Sequence, residues 1–274
     1  MNRDRIVIKV GTSTLTNELG NSNLRTMEKL AMVLSDIQNM GHEVILVSSG
    51  AIAVGANKMH MKEKPTSMRM KQAAAAVGQC TNMFLYDKFF GYYDKMVGQI
   101  LLNAEDITQE EKKENLSNTF SALLEQGVIP IVNENDSVSY TEIESEERLF
   151  SDNDVLSAVV AVLCQADKLI ILSDIDGFYD KDPRLFKDAK LIERIDVIDD
   201  AVYELAGGAG SRRGTGGMRT KLQAADIATA QGDDSTANGH VVGIARDTSA
   251  EQTRRQLSKQ SLDDSRGIDS PVES

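Results

Sequence analysis

Apolar positions fall along this chain in two rhythms, and the two take turns. Ile6-Val7-Ile8-Lys9-Val10, Val44-Ile45-Leu46-Val47, the stretch 97–102, the run 128–132 and Leu169-Ile170-Ile171-Leu172 are short and rich in β-branched residues. Runs of that length, bounded by glycine or polar residues, predict strands, and those at 44–47, 128–132 and 169–172 read as buried. Between them the apolar residues recur at steps of three and four. Met27, Leu30, Ala31, Leu34 and Ile37 predict a helix over 24–40, ended by Gly41. The stretch 68–93 is helix-rich, and Leu116, Phe120, Leu123 and Leu124 share one face of a helix over 115–126. Further helices are expected over 155–166, 199–206 and 218–231. Strand and helix alternating in this way predict right-handed βαβ units. The fold class is α/β, with a mainly parallel sheet covered by helices on both faces.

Composition narrows the function. The 274 residues suffice for one large domain or two small ones, and a hydrophobic content of 41% can fill a core. A net charge of −12 argues against a nucleic-acid partner, which would need a basic face. No apolar run reaches 18 residues, so no membrane-spanning helix is expected. Met1-Asn2-Arg3-Asp4-Arg5 leads directly into a strand and not into the apolar core of a signal peptide. Cys80 and Cys164 lack a CxxC partner and are expected to be reduced, buried thiols of a cytoplasmic protein. His42, His60 and His240 stand in unrelated contexts, so neither zinc-ligand spacing nor a Cys-His or Ser-His nucleophile pattern emerges.

The chemistry is expected at strand ends. The run 128–132 stops at Asn133-Glu134-Asn135-Asp136-Ser137, and after a charged stretch Ser151-Asp152-Asn153-Asp154 opens a helix. Two amide-and-carboxylate clusters thus flank one loop, at the strand end where ligands of open α/β sheets bind. Asp152 is equally suited to be an ordinary helix cap. Lys9 interrupts an apolar strand just before Gly11-Thr12-Ser13-Thr14, a costly placement unless its ammonium meets water or an anion such as phosphate. Ser48-Ser49-Gly50-Ala51 lets a ligand approach backbone N–H groups at a strand-to-helix junction. The segment Asp174 to Arg184 holds several carboxylates, most of them expected as turn formers. Glycine is dense over 207–217, where it mixes with hydroxyls and the cations Arg212 and Arg213. Arg219 and Lys221 follow at the start of the next helix, an arrangement suited to a polyphosphate-like anion.

The ordered segments IVIKVGTS, VSSGAIAVG, VIPIVNENDSV, SDND, LSDIDGFYDKDPR and GTGGMRTKLQAA resemble the glutamate 5-kinases of the amino acid kinase family. The likeness spans residues 6–232 and implies a three-layer α/β/α sandwich around a mainly parallel sheet. Aspartokinase-like enzymes share several of these pieces. The resemblance implies transfer of a phosphoryl group from ATP, carried with Mg²⁺ on its phosphates, to the side-chain carboxylate of L-glutamate. Proline as inhibitor and a homo-oligomeric assembly are further implications. By residue, Lys9 and Lys221 would act on the phosphates, and Asp154 would organise the lysines and metal. Ser49, Asp136 and Asn153 would hold glutamate. Ser173, Asp174, Thr215, Gly216, Gly217, Met218, Arg219 and Thr220 would line the nucleotide site.

That resemblance divides the chain into a substrate lobe over 1–166, a nucleotide lobe over 167–232 and an atypical tail over 233–274. Family members continue past Gly232 with a strand, whereas Asp233-Asp234-Ser235-Thr236 offers no apolar face. Val241-Val242-Gly243-Ile244 is the nearest candidate and lies beyond the expected place. The expectation is therefore a mobile tail and an open sheet edge, with a weakly active, ligand-binding protein as the alternative function.

Overall fold

The apolar runs form one six-stranded sheet in which every neighbouring pair is parallel. The computed structural model describes residues 3–17, 20–138, 152–206 and 217–229, together with the backbone of 241–246. In chain order the elements are β1 (Arg5–Val10), α1 (Thr12–Leu15), α2 (Leu24–Asn39), β2 (Glu43–Ser48), α3 (Ala51–Lys58), α4 (Met68–Gly91) and β3 (Val97–Leu102). There follow α5 (Glu105–Thr108), α6 (Glu110–Glu125), β4 (Ile129–Glu134), α7 (Asn153–Leu163), β5 (Lys168–Ser173), β6 (Phe178–Tyr179) and β7 (Leu191–Ile192). The last three are α8 (Asp200–Ala206), α9 (Met218–Thr229) and β8 (Val241–Arg246). The sheet order is β3-β4-β2-β1-β5-β8.

Strand alternation sorts the core into two layers. Ile6, Ile8 and Val10 of β1, Val44 and Leu46 of β2, and Ile129 and Ile131 of β4 pack with Met27, Leu34, Tyr86 and Phe90 of α2 and α4. Val7, Ile45, Val47, Val132, Leu169 and Ile171 face the other way, against Phe120, Leu156, Val160, Ala224 and Ala228 of α6, α7 and α9. The three-layer α/β/α sandwich is thus realised.

Three sequence expectations change here. β8 pairs in register along β5, from Lys168 opposite Val241 to Ser173 opposite Arg246, so the expected open edge at β5 is corrected. A six-residue strand with three β-branched residues, Val241, Val242 and Ile244, suffices, because the neighbouring strand supplies its hydrogen bonds. Residues 233–240 and 247–274 of the tail, expected to be mobile, lie outside the described residues. Cys80 was expected to be buried and is exposed, while Cys164 is buried; Cys80 lines an open cleft that α4 shares with residues of β3 and β4. The carboxylate-rich segment after β5, read as turns, also supplies one strand of a small antiparallel pair, β6 against β7, with Phe178 opposite Ile192.

α3 and α4 cross at backbone contact. A Cβ on Gly55 would lie 1.7 Å from the Ala74 carbonyl oxygen, and one on Gly78 would lie 1.8 Å from that of Ala51. Glycine at both positions lets the first turn of α3 sit against α4, beside the end of β2.

Candidate active site

The alternation that buries Val7 puts Lys9 on the same face of β1, under α7 and α9. Its ammonium stands 2.6 Å from Asp154 Oδ1, and Lys221 Nζ of α9 stands 2.8 Å from Asp154 Oδ2. Lys9 is 5% exposed, Lys221 7% and Asp154 not at all. Thr220 Oγ1 lies 3.2 Å from Asp154 Oδ2 and 2.8 Å from the Gly217 carbonyl oxygen, two acceptors that compete for its single proton. Burial by itself would raise the Asp154 carboxyl. The Lys9 ammonium, then that of Lys221, outweigh it and hold the group below its ordinary value. Two ammonium groups meet on this one carboxylate, with the Asp152 carboxyl as a second acidic group within their field, and such a concentration of buried charge suits a place that an anion can reach.

Asp152 precedes α7 at the N-cap position, but its side chain makes no capping hydrogen bond. Its carboxyl is raised, by burial first and by the Asp154 charge second.

A chain of amides runs over the C-terminal edge of the sheet. Asn153 Nδ2, at the start of α7, donates to the Ser48 carbonyl (3.1 Å), Ser49 Oγ (2.6 Å) and Asn133 Oδ1 (3.0 Å), sharing two hydrogens among three acceptors. Asn133 Nδ2, at the end of β4, donates to Gln79 Oε1 of α4 at 3.0 Å. Ser48 Oγ and Tyr86 Oη lie 2.7 Å apart, and burial pushes the Tyr86 phenol well above its ordinary value, with the Ser48 hydrogen bond opposing. The chain borders a cleft of about 450 Å³ lined by Ala51, Gln79, Gln99, Glu134, Asn135 and Asp136, among others.

The structure therefore brings Lys9, Lys221, Asp154 and Thr220 to one point and gathers Ser49 and Asn153 beside it. Asp136 lines the adjoining cleft. Ser173 and Asp174 end β5, where Asp174 pairs with Arg184 at 2.6 Å on the surface. Met218 and Arg219 open α9, and the Arg219 guanidinium lies 5.9 Å from the centre of the Tyr203 ring. Thr215 and Gly216, with most of the glycine-dense loop, lie outside the described residues, as does the acidic stretch 139–150. Sequence reasoning missed Gln79 and Tyr86, which sit in a helix read as core. It also gave no separate role to Asn133, although that residue stands where the apolar pattern of β4 breaks. Among the described residues no helix is long and apolar enough to cross a membrane.

The chain matches the Amino acid kinase family over residues 4–237. It is 57% identical over 236 residues to a glutamate 5-kinase of Clostridium perfringens, covering 86% of this chain and 87% of that protein. Against a glutamate 5-kinase of Listeria innocua the identity is 55%, covering 82% and 81%. Against that of Caldanaerobacter subterraneus it is 50%, covering 88% of this chain and 63% of a longer protein. In fold it is similar to a carbamate kinase from Giardia lamblia bound to AMP-PNP, with a TM-score of 0.63 at 16% identity over 93% of this chain and 96% of that one. A T. acidophilum isopentenyl phosphate kinase gives a TM-score of 0.59 at 16% identity, covering 92% and 95%.

Proposed function

The chain belongs to the amino acid kinase family, and from that premise we propose that it phosphorylates the side-chain carboxylate of L-glutamate with ATP. The product is L-glutamyl 5-phosphate, the first intermediate of proline biosynthesis. The observation that carries the reading is the pair of buried ammonium groups, Lys9 and Lys221, held on the two oxygens of Asp154.

A carboxylate nucleophile with a pKa of about 4.3 is already ionised at neutral pH, so no general base is required. A glutamate side-chain oxygen attacks the γ-phosphorus, and the bond from that phosphorus to the β–γ bridging oxygen breaks, releasing ADP. The difficulty is electrostatic, because an anion must approach a polyanion. Catalysis then consists of alignment and charge neutralisation. Lys9 comes from β1 and Lys221 from α9, so their charges reach one place from two directions. Asp154 fixes both side chains before substrate arrives and removes the need to order them during the reaction. Mg²⁺, carried by the nucleotide phosphates, would supply further neutralisation when bound. With both Asp154 oxygens already on lysines, the phosphates are the better ligands for it.

The cleft beside the lysines suits the amino acid. Asp136 offers charge to an α-ammonium group, and Asn153 and Ser49 offer polar contacts. Ser173, Asp174 and the segment 215–221 belong on the nucleotide side. Proline shares the α-amino and carboxylate end of glutamate and would compete for the same cleft, with residues 139–150 between the two polar clusters. A homo-oligomer is part of the same reading.

The test is hydroxamate formation from glutamate, ATP and hydroxylamine, with aspartate run beside it. Product from glutamate and little from aspartate is expected. A preference for aspartate would assign the chain to an aspartokinase-like activity instead.

A further inference from the structure

The amides over the sheet edge have a direction, and a backbone carbonyl sets it. Ser48 O can only accept, so the Asn153 atom 3.1 Å away must be the amide nitrogen. The Asn133 atom 3.0 Å from that nitrogen must then be its oxygen. That leaves Asn133 Nδ2 pointing at Gln79, whose near atom, at 3.0 Å, must be Oε1. The polarity of three side chains on three elements therefore follows from one carbonyl at the end of β2. Two groups remain without a partner among the described residues: Asn153 Oδ1, an acceptor, at one end, and Gln79 Nε2, a donor, at the other. Asn153 adjoins Asp154 and its lysines, and Gln79 lines the cleft that holds Asp136.

Resting on the glutamate kinase reading above, we propose that Gln79 is a positioning residue for the amino-acid substrate, acting through Asn133 on Asn153. Asn133 is 4% exposed, so solvent cannot replace the acceptor that Gln79 provides. With that acceptor in place, Asn133 has one low-energy orientation. It receives the Asn153 amide and keeps Asn153 Oδ1 turned outward, as an acceptor for a substrate ammonium group. Without it, Asn133 can flip to satisfy its buried nitrogen elsewhere and would then present a donor to the donor of Asn153. The amino-acid site would lose its polarity, while Lys9, Lys221 and Asp154, which make no hydrogen bond to this chain, would stay in place. Gln79 couples the layer of α4 to the layer of α7, and thus the cleft to the phosphoryl-transfer point.

The test is a double-mutant cycle on the full chain with Gln79→Leu, Asn133→Ala and the pair, reading glutamate KM, ATP KM, kcat and melting temperature. Gln79→Leu should raise glutamate KM about tenfold, as expected when a buried amide loses its partner, with ATP KM unchanged within about twofold. The double variant should be no worse than Asn133→Ala alone, because Gln79 has nothing to act on once Asn133 is gone. Gln79→Met, closer in shape, serves the same purpose if Gln79→Leu does not fold. Multiplying effects, or a glutamate KM that stays fixed in a folded Gln79 variant, would overturn the proposal while leaving the kinase reading intact. A wild-type protein silent with glutamate would instead remove that reading, and this inference with it.

Discussion

Lys9 Nζ stands 2.6 Å from Asp154 Oδ1, in a place where Asp154 is wholly inaccessible to water. The contact joins the middle strands of the sheet to the first turn of α7. It also explains a sequence feature that is otherwise unfavourable, a lysine inside an apolar strand. Alternation along β1 turns Lys9 to the face of α7 and α9, and Lys221 meets the same carboxylate from α9 at 2.8 Å.

Removing either ammonium should slow the phosphoryl-transfer step. Lys9→Ala or Lys221→Ala is expected to lower kcat about 100- to 1,000-fold, the range for losing one preorganised charge at a developing anion. Glutamate KM should move much less. Steady-state kinetics at saturating ATP will check this, and an unchanged kcat in Lys221→Ala would sink the role given to it.

Asp154 of α7 and Asp152 just before it should titrate stability in opposite senses. Asp154 is lowered from 3.8, because Lys9 and Lys221 outweigh the burial that would raise it. Its contribution is present above its unfolded value and is lost as pH falls through the folded one. Asp152 is raised from 3.8 by burial and by Asp154, so its ionisation opposes folding as pH rises past that value. Asp154→Asn should flatten the acid limb of a denaturant-midpoint profile between about pH 5 and pH 2, the window in which a depressed carboxylate is titrated. Asp152→Asn should gain stability at neutral pH. If both variants lose stability at neutral pH, the assignment of signs is wrong.

Much of this was legible because periodicity follows burial. The β-branched runs at β1, β2, β4 and β5 read as central strands, and the polar break at Asn133 marked their functional end. Lys9 was visible for the same reason. Other features were hidden by ambiguity at single residues. Gln79 lies in the Ala-rich run of α4, where a lone amide reads as surface. Gly55 and Gly78 look like ordinary small residues until two helices are brought to backbone contact. Cys80 could not be placed, because the face of α4 that meets the sheet is set by Tyr86 and Phe90 further along. β8 was discounted because the segment before it is polar, and the short run Val241-Val242-Gly243-Ile244 does not by itself reveal a waiting partner.

The helix crossing gives the third prediction. A methyl group at Gly78 would meet the Ala51 carbonyl at 1.8 Å, and backbone cannot yield as a flexible side chain does. Gly78→Ala should destabilise by about 1–3 kcal/mol or more, the usual penalty of overpacking. Ala51 also lines the cleft, so glutamate KM should rise in the same variant. Calorimetry beside kinetics will decide. A melting temperature equal to the wild type would mean that α3 and α4 are not packed this closely.

Substrate selectivity gives the fourth. Asp136 follows β4 and lines the cleft, whose lining includes neither Lys9 nor Lys221. Asp136→Asn removes a charge that an α-ammonium group would meet, and should raise glutamate KM about tenfold or more, as for a charge-assisted hydrogen bond. ATP KM should hold. If ATP KM moves instead, the amino acid and the nucleotide have been placed at the wrong ends.

The last prediction concerns β8, where the sequence pattern and the structure part company. Residues 233–240 read DDSTANGH and offer no strand face, yet residues 241–246 pair along the whole of β5. A parallel ladder commits alternate N–H groups of each strand to its neighbour. Alternate amides among 241–246 should therefore exchange slowly with deuterium, in step with those of β5. The register sets Arg246 opposite Ser173, so β8 ends beside the residue placed on the nucleotide side. Deleting residues 233–274 would expose the β5 edge, an invitation to intermolecular pairing. The truncated chain should melt at lower temperature, self-associate and bind ATP more weakly, with the lysine pair intact. Uniformly fast exchange across 241–246, together with a truncation that leaves melting and ATP KM unchanged, would show that β8 does not complete the sheet.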